Sequence, residues 1–242
     1  MRIRPAWSRC LHRLLAALCC SASLLCIGAS FEVAPVMHEL AAGKAVLSMS
    51  LTNRGGTSAT VQVRAFHWAQ VDGLEALTPA PQVIVSPAIF QVEPGRAQIV
   101  RALFPPETAD QERSYRFLID EIADASAAEP LRFALRLSVP VFRLAAAPAS
   151  AALSWRLDGA SRSLVATNAG GRRERIRELV LTADAGGLRT ETASAGGHYL
   201  LAGQRRSWSV APSAAALKPG EHWTLTAQTD GGRIEVPLVV SP

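Results

Sequence analysis

Residues that could carry catalysis or bind a metal are few and widely spaced in this chain. Asp120 and Glu121 are adjacent carboxylates, but neighbours on a strand point to opposite faces and cannot act on one substrate atom. The sequence contains no nucleophile elbow, phosphate loop or dinucleotide fingerprint. Four histidines follow residue 30 without the spacing of metal ligands: His38, His67, His198 and His222. We therefore expect a protein that is not an enzyme and that uses no metal and no cofactor.

A long apolar strand in mid-chain offers binding chemistry instead. It is predicted between Leu131 and Leu144, about 46 Å at 3.3 Å per residue, roughly twice a typical strand. Pro140 lacks a ladder donor, which predicts an edge or an irregularity there. An apolar edge can add to a partner's sheet, whereas pairing inside its own sandwich is the alternative. The alternating residues that share one face are Leu131, Phe133, Leu135, Leu137, Val139 and Val141.

The elements that must position this strand are also predicted to be strands. Apolar and polar residues alternate in the runs at 45–51, 60–66, 98–104 and 131–139. Gly-Gly pairs separate many such runs, where hairpin turns need residues that tolerate positive φ. Helical periodicity is nearly absent after the first thirty residues. The chain is therefore predicted to be all-β.

A change of composition predicts two domains. Residues 145–152 read AAAPASAA, which supplies no core side chains and is typical of a linker. We place one immunoglobulin-like sandwich at 31–147 and a second at 148–242, since each segment has the length and the number of short strands of such a sandwich.

The first thirty residues are predicted to be a signal peptide, with four arginines before a short apolar run. A retained anchor is an alternative, and Leu25 before Cys26 disfavours a lipoprotein. All four cysteines lie in this segment, so the mature chain has no disulfide and no thiolate chemistry. Its removal leaves 21 basic and 20 acidic residues, and no basic patch with interleaved aromatics remains. We expect neither nucleic-acid binding nor membrane insertion of the mature chain.

Residues 31–142 contain five segments in a diagnostic order: FEVAPVMHELAAGKAVLSMSLTN, VQVRAFHWAQVDG, VSPAIFQVEPGRAQIVRALF, SYRFLIDEI and RLSVPVF. In their order and spacing they resemble the PapD-like periplasmic pilus chaperones, most closely the archaic chaperone–usher branch. The second domain is more divergent, and its position and TDGGRIEVPL (229–238) are what resemble the family.

The resemblance implies two sandwiches in a boomerang arrangement, with a pilus subunit bound in the cleft. The last strand of the first domain would complete the subunit's sheet by donor-strand complementation. An outer-membrane usher would then accept the complex, which places the protein in the periplasm. On this chain the donor residues would be Leu135, Leu137, Val139 and Val141.

The resemblance also implies an anchor for the subunit's C-terminal carboxylate. Conventional members use an arginine in the first strand and a lysine after the long strand, but this chain has Met37 at the first position and no lysine between 44 and 218. Archaic members place the anchor in the strand containing SYR, which selects Arg116. A guanidinium suits this role because it can bond a carboxylate bidentately. Arg136 is a second candidate, and pairing of Arg116 with Asp120 or Glu121 is the alternative.

Three further residues match an interdomain charge network of the family: Arg101, Glu121 and Asp230. Phe66 and Trp68 are interpreted as packing residues. The arginine run at 172–177 is interpreted as a solvated strand or turn, with a contact to the usher as the alternative.

A structural pilus subunit or adhesin of the same assembly system is the competing function. Such a subunit would be one incomplete sandwich with an N-terminal donor extension, and family subunits usually carry cysteines. Two predicted sandwiches, no mature cysteine and the long strand in mid-chain favour the chaperone.

Overall fold

The computed structural model describes residues 30–106, 109–122, 134–184, 189–193, 198–210 and 217–242. Eighteen strands and no helix occur in these ranges, which confirms the all-β prediction. They accordingly contain no helix that is long and apolar enough to cross a membrane. The predicted signal peptide lies outside the described residues except for Ser30, and so do Leu131 and Phe133 of the predicted long strand.

Strands β1 to β10 form the first sandwich. One sheet has the order β1-β3-β8-β6, and the other has the order β2-β10-β9-β4-β5, with β7 also paired to β4. The strands are β1 (Phe31–Ala34), β2 (His38–Leu40), β3 (Val46–Asn53), β4 (Ala59–Val71), β5 (Leu74–Pro79), β6 (Ile84–Ser86), β7 (Ile89–Val92), β8 (Ala97–Leu103), β9 (Arg113–Ile122) and β10 (Arg136–Arg143).

The period-two pattern of the sequence gives each sheet of this sandwich one apolar face, and these two faces pack against each other. In β3, Leu47, Met49 and Leu51 are buried while the residues between them are more exposed. The facing sheet contributes Val61 and Val63 of β4 to the same core. Burying one apolar face of each sheet stabilises the pair, at roughly 1.5–3 kcal/mol for each large side chain fully removed from water.

The second sandwich is built from β11 to β18, in the order β14-β13-β17-β18-β11-β12-β16, with β15 also on β13. Leu157, Leu181 and Trp223 are among its fully buried side chains. The strands are β11 (Leu153–Asp158), β12 (Ser163–Asn168), β13 (Glu174–Ala183), β14 (Arg189–Ala193), β15 (His198–Leu200), β16 (Arg205–Ser209), β17 (His222–Thr229) and β18 (Gly232–Ser241).

Strand β10 has neighbours on both sides only at its C-terminal end. It runs antiparallel to β9 over its whole length, and β2 pairs with it in parallel only at Val141, Phe142 and Arg143. In the described part of the chain, no strand covers the other side of residues 136–140. Pro140 is the last residue of this open stretch, as expected of a proline that removes a ladder donor at an edge.

Candidate functional site

The open edge of β10 has a defined set of hydrogen-bonding groups. The amide of Glu121 donates to the carbonyl of Leu135, so odd-numbered residues of β10 point their main-chain groups toward β9. Because this direction alternates along an antiparallel strand, Arg136, Ser138 and Pro140 point theirs outward. The parallel pairing of Val141 with His38 already uses the carbonyl of Pro140, and Pro140 has no amide donor. The edge therefore presents two carbonyls and two amide donors, those of Arg136 and Ser138.

The four predicted donor side chains differ in how much of their surface is exposed to a partner. Val139 and Val141 lie in the core of the first sandwich, with 4% and 0% of their surface exposed. Leu137 is partly buried against that core, and Leu135 is also partly buried. In this conformation Leu135 and Leu137 can reach a partner, whereas donation of Val139 or Val141 would require their own core to open. The donor role of all four stays a prediction.

Arg116 lies on β9, on the face of the sheet that is turned away from the core. The side chain is 18% exposed, and its guanidinium carbon stands 3.7 Å from the ring centroid of Trp68. Its Nη2 is 3.9 Å from Oε2 of Glu75. Burial lowers the pKa of Arg116, and the carboxylate of Glu75 partly opposes this. A largely buried guanidinium with one distant counter-ion is suited to binding a further carboxylate.

Arg136 lies on the same face but is already engaged. It donates to Asp120, which also accepts a 2.7 Å bond from Arg64. Burial raises the pKa of Asp120, but the bonds and charges of these two arginines outweigh it and hold that pKa low. Asp120 is thus paired with Arg136 and Arg64, and the carboxylate nearest to Arg116 in the ion pairs described is that of Glu75.

The second domain contributes to the surroundings of Arg116 through β15 and β16. Arg206 binds Oε1 of Glu75 at 2.9 Å and donates to Nδ1 of His198 at 3.0 Å. Since arginine has no acceptor atom, His198 must accept this bond and is neutral when it does so. Burial, and then the positive charge of Arg206, lower the pKa of His198.

An aromatic cluster joins the two sandwiches beside these charges. Trp68 and Phe142 of the first domain pack with Leu201 and Tyr199 of the second. Tyr199 stands edge-on to Trp68, with 5.6 Å between the ring centroids. Gln70 adds a 2.6 Å bond from Nε2 to the carbonyl of Tyr199. Trp68 is therefore a packing residue, as predicted from its position, but it packs at the boundary between the domains.

Arg173 is a boundary residue that the sequence interpretation missed. The sequence pattern places it in a solvated run, yet its side chain is 8% exposed and pairs with Glu112, whose side chain is 1% exposed. It also pairs with Glu39, and its guanidinium carbon lies 3.6 Å from the ring centroid of Phe142. Burial raises the pKa of Glu112 in spite of its arginine partner. No local pattern distinguishes Arg173 from its exposed neighbour Arg172, because the contacts come from the other domain.

The three residues assigned to an interdomain charge network lie in separate parts of the fold. Arg101 is exposed on β8, between Ser48 and Ser86. Glu121 is buried at the end of β9, where its Oε2 accepts from the amide of Leu135. Asp230 follows β17 and pairs with Arg177 at 2.7 Å. The ion pairs that do cross between the domains include Glu39 with Arg172 and Arg173, Glu112 with Arg173, Asp72 with Arg205, and Glu75 with Arg206.

The described residues contain no group of three or more histidine, cysteine or carboxylate side chains that could hold a metal ion. The residues described above combine an open strand edge, aromatic rings and arginines.

Several solved structures share the architecture. One is a chain of the CsuC–CsuE chaperone–tip adhesion subunit pre-assembly complex from archaic chaperone-usher Csu pili of Acinetobacter baumannii, at 21% identity and a TM-score of 0.59, covering 74% of this chain and 90% of that one. The chaperone DraB of E. coli, at 15% identity and a TM-score of 0.58, covers 87% of this chain and 97% of its own. The similarity to the CupB2 chaperone of Pseudomonas aeruginosa, at 16% identity and a TM-score of 0.54, covers 87% of this chain and 100% of that one.

At these low identities the structural similarity establishes the fold alone, and it confirms the prediction of two immunoglobulin-like sandwiches. Among proteins with curated descriptions, none matches this sequence significantly. Residues 30–147 match the family model of the pili and flagellar-assembly chaperones, PapD N-terminal domain. The N-terminal domain of the chain, residues 30–147, therefore belongs to the family of PapD N-terminal domains of pili and flagellar-assembly chaperones.

Proposed function

We propose that this protein is a periplasmic chaperone that binds pilus subunits by strand donation and delivers them to an outer-membrane usher, without enzymatic activity. The observation that carries the proposal is the open stretch of β10, residues 136–140, in a domain that matches the chaperone family. Proteins usually cover or blunt such edges because they promote aggregation. An edge left open beside half-buried leucines is suited to supplying the strand that a partner's sheet lacks.

The contacts available to such a partner are of two kinds. Main-chain groups of Arg136 and Ser138 are free on the open side, and each hydrogen bond adds roughly 0.5–1.5 kcal/mol. Leu135 and Leu137 add apolar burial at up to ~1.5–3 kcal/mol each. Arg116 is proposed to bind the subunit's C-terminal carboxylate, and its contact with Trp68 fixes the orientation of the guanidinium. The alternative function, a pilus subunit, is not favoured by the family match or by the two-domain fold.

Co-purification from the periplasm tests the proposal. The full chain would be co-expressed with the small secreted proteins encoded beside it, and compared with a Leu135→Glu, Leu137→Glu variant. Ile99→Glu is a matched control, because Ile99 is an apolar residue 49% exposed on β8 of the other sheet.

Wild type and the Ile99 variant should retain a stoichiometric partner, and the double variant should lose it while still folding. The proposal fails if wild type holds no such partner or if the folded double variant holds it as well as wild type does.

A further inference from the structure

One carboxylate, that of Glu75, bridges arginines from both domains. Glu75 belongs to β5 of the first domain, and its Oε1 lies 2.9 Å from Nη1 of Arg206 on β16 of the second. Its other oxygen, Oε2, lies 3.9 Å from Nη2 of Arg116 on β9. The second distance leaves this side of the bridge loose, at the outer limit of an ion pair.

The charges around this bridge do not balance. The side chains of Arg116 and Arg206 are only 18% and 14% exposed, whereas that of Glu75 is 42% exposed. His198 beside Arg206 is neutral when it accepts the bond from that arginine, so it does not compensate the arginine's positive charge. The two guanidiniums are close enough for Arg206 to contribute to the lowered pKa of Arg116. Two largely buried positive charges thus share one half-exposed carboxylate, and the site favours a second anion.

We propose that Arg206 is the second arm of the carboxylate-binding site, and that Glu75 occupies this site until the C-terminal carboxylate of a subunit displaces it. The inference rests on the proposed function and deepens it. Glu75 can leave because its carboxylate is half in water, while the buried guanidiniums stay where Trp68 and His198 hold them. The incoming carboxylate can then bond to both guanidiniums with its two oxygens.

A neighbouring ion pair shows what a simple bridge between the domains looks like. Arg205 on the same strand binds Asp72 at 3.0 Å, and these side chains are 59% and 82% exposed. Adjacent residues of a strand point to opposite faces, so Arg205 is directed away from the face that Arg206 shares with Glu75. Exposed pairs of this kind contribute little to stability. Arg205→Gln therefore removes a charge and an interdomain pair without altering the proposed site.

The test measures how strongly the full chain retains its co-purified subunit. Arg206→Gln is compared with Arg205→Gln, using the subunit in its native form and a form extended at its C-terminus by a short neutral tail. The tail removes the carboxylate from the site but leaves the rest of the subunit unchanged. Thermal unfolding of each variant establishes that it is folded.

With the native subunit, Arg206→Gln should weaken binding by about tenfold to a hundredfold, the effect expected for losing a charged hydrogen bond. Arg205→Gln should bind as wild type does. With the extended subunit, all three proteins should bind equally. Glu75→Gln removes the internal competitor and should strengthen binding of the native subunit by about two- to fivefold, the range expected for losing a partly exposed ion pair.

The inference is overturned if folded Arg206→Gln binds the native subunit as well as wild type does, or if its loss is the same with the extended subunit. It is also overturned in its second part if Glu75→Gln weakens binding, since Glu75 would then support the complex. Failure of the proposed function gives a different result, because wild type itself would hold no subunit.

Discussion

Replacement of Arg173 by methionine is expected to be one of the most destabilising single changes at the boundary between the domains. The side chain of Glu112 is 1% exposed, and Arg173 donates to it from both the guanidinium and the main-chain amide. Removing one partner of a buried pair costs about 3–5 kcal/mol, because a charge is left buried without compensation. Methionine retains most of the apolar contact with Phe142, so the loss reports mainly on the charge.

The size of this effect can be read from thermal unfolding of the mature chain. For a protein of this length, 1 kcal/mol corresponds to about 2–4 °C in Tm, so Arg173→Met should lower Tm by about 6–20 °C. Arg172→Met is the matched control: that side chain is 47% exposed and pairs with Glu39 at 3.2 Å. Its loss should cost no more than about 1 kcal/mol.

The pH dependence provides a second readout. Burial already raises the pKa of Glu112 above its ordinary value of 4.5, and without Arg173 the rise must be larger. A carboxyl whose pKa is raised on folding is tolerated while it is protonated, and its penalty grows as pH rises through the folded pKa. The Tm difference between Arg173→Met and wild type should therefore widen from about pH 4.5 to about pH 7.5.

A double variant, Glu112→Gln with Arg173→Met, should recover much of the lost stability, because no buried charge remains. The reasoning is refuted if Arg173→Met is no more destabilising than Arg172→Met. It is also refuted if the double variant is no more stable than Arg173→Met alone.

Three further predictions concern other parts of the fold. Val141→Ala should lower the free energy of unfolding by about 1.5–3 kcal/mol, since Val141 is fully buried, while Leu135→Ala should cost under about 1 kcal/mol; equal losses in urea unfolding would contradict the assignment of Val141 to the core. Gly73 has a φ of +82°, and a Cβ there would lie 3.0 Å from the amide nitrogen of Ser207. Gly73→Ala should therefore lower Tm. An unchanged or higher Tm would argue against this close approach. Burial lowers the pKa of His198, so the neutral ring contributes stability that is present above its ordinary pKa of 6.5 and lost as pH falls. Between about pH 7.5 and about pH 5, the Tm of His198→Gln should therefore fall less than the Tm of wild type. Parallel curves of Tm against pH for the two proteins would exclude this role.

The sequence predicted most of what depends on local pattern. The alternation in β3 identifies Leu47, Met49 and Leu51 as core residues, because period two fixes which face of a strand is apolar. The sequence did not predict which apolar side chains of β10 are buried in its own sandwich and which can reach a partner. Leu135 and Val141 look equivalent in the sequence. Only the packing of β10 in its own sandwich leaves the first partly buried and the second fully buried.

Charged residues at the domain boundary were the least predictable. Arg173 and Glu112 are separated by 61 residues, and Arg206 and Glu75 by 131. Their pairing depends on how the second sandwich sits against Trp68 and Phe142, which no periodicity records. Arg116 was found through resemblance to a family, yet its neighbour Glu75 has no sequence signal, since an exposed hairpin glutamate is ordinary on any surface.

The proline at the end of the open edge limits how long a partner can stay bound. Within β10 a partner strand meets only the amides and carbonyls of Arg136 and Ser138. Pro140 offers no N–H, and β2 already pairs with its carbonyl and with the edge beyond it. Four main-chain bonds contribute roughly 2–6 kcal/mol before the cost of association is subtracted. Main-chain pairing alone therefore corresponds to rapid dissociation, and side chains must supply the remaining affinity. A competing strand that matches those side chains better could replace β10 progressively from its open end, without unfolding either protein.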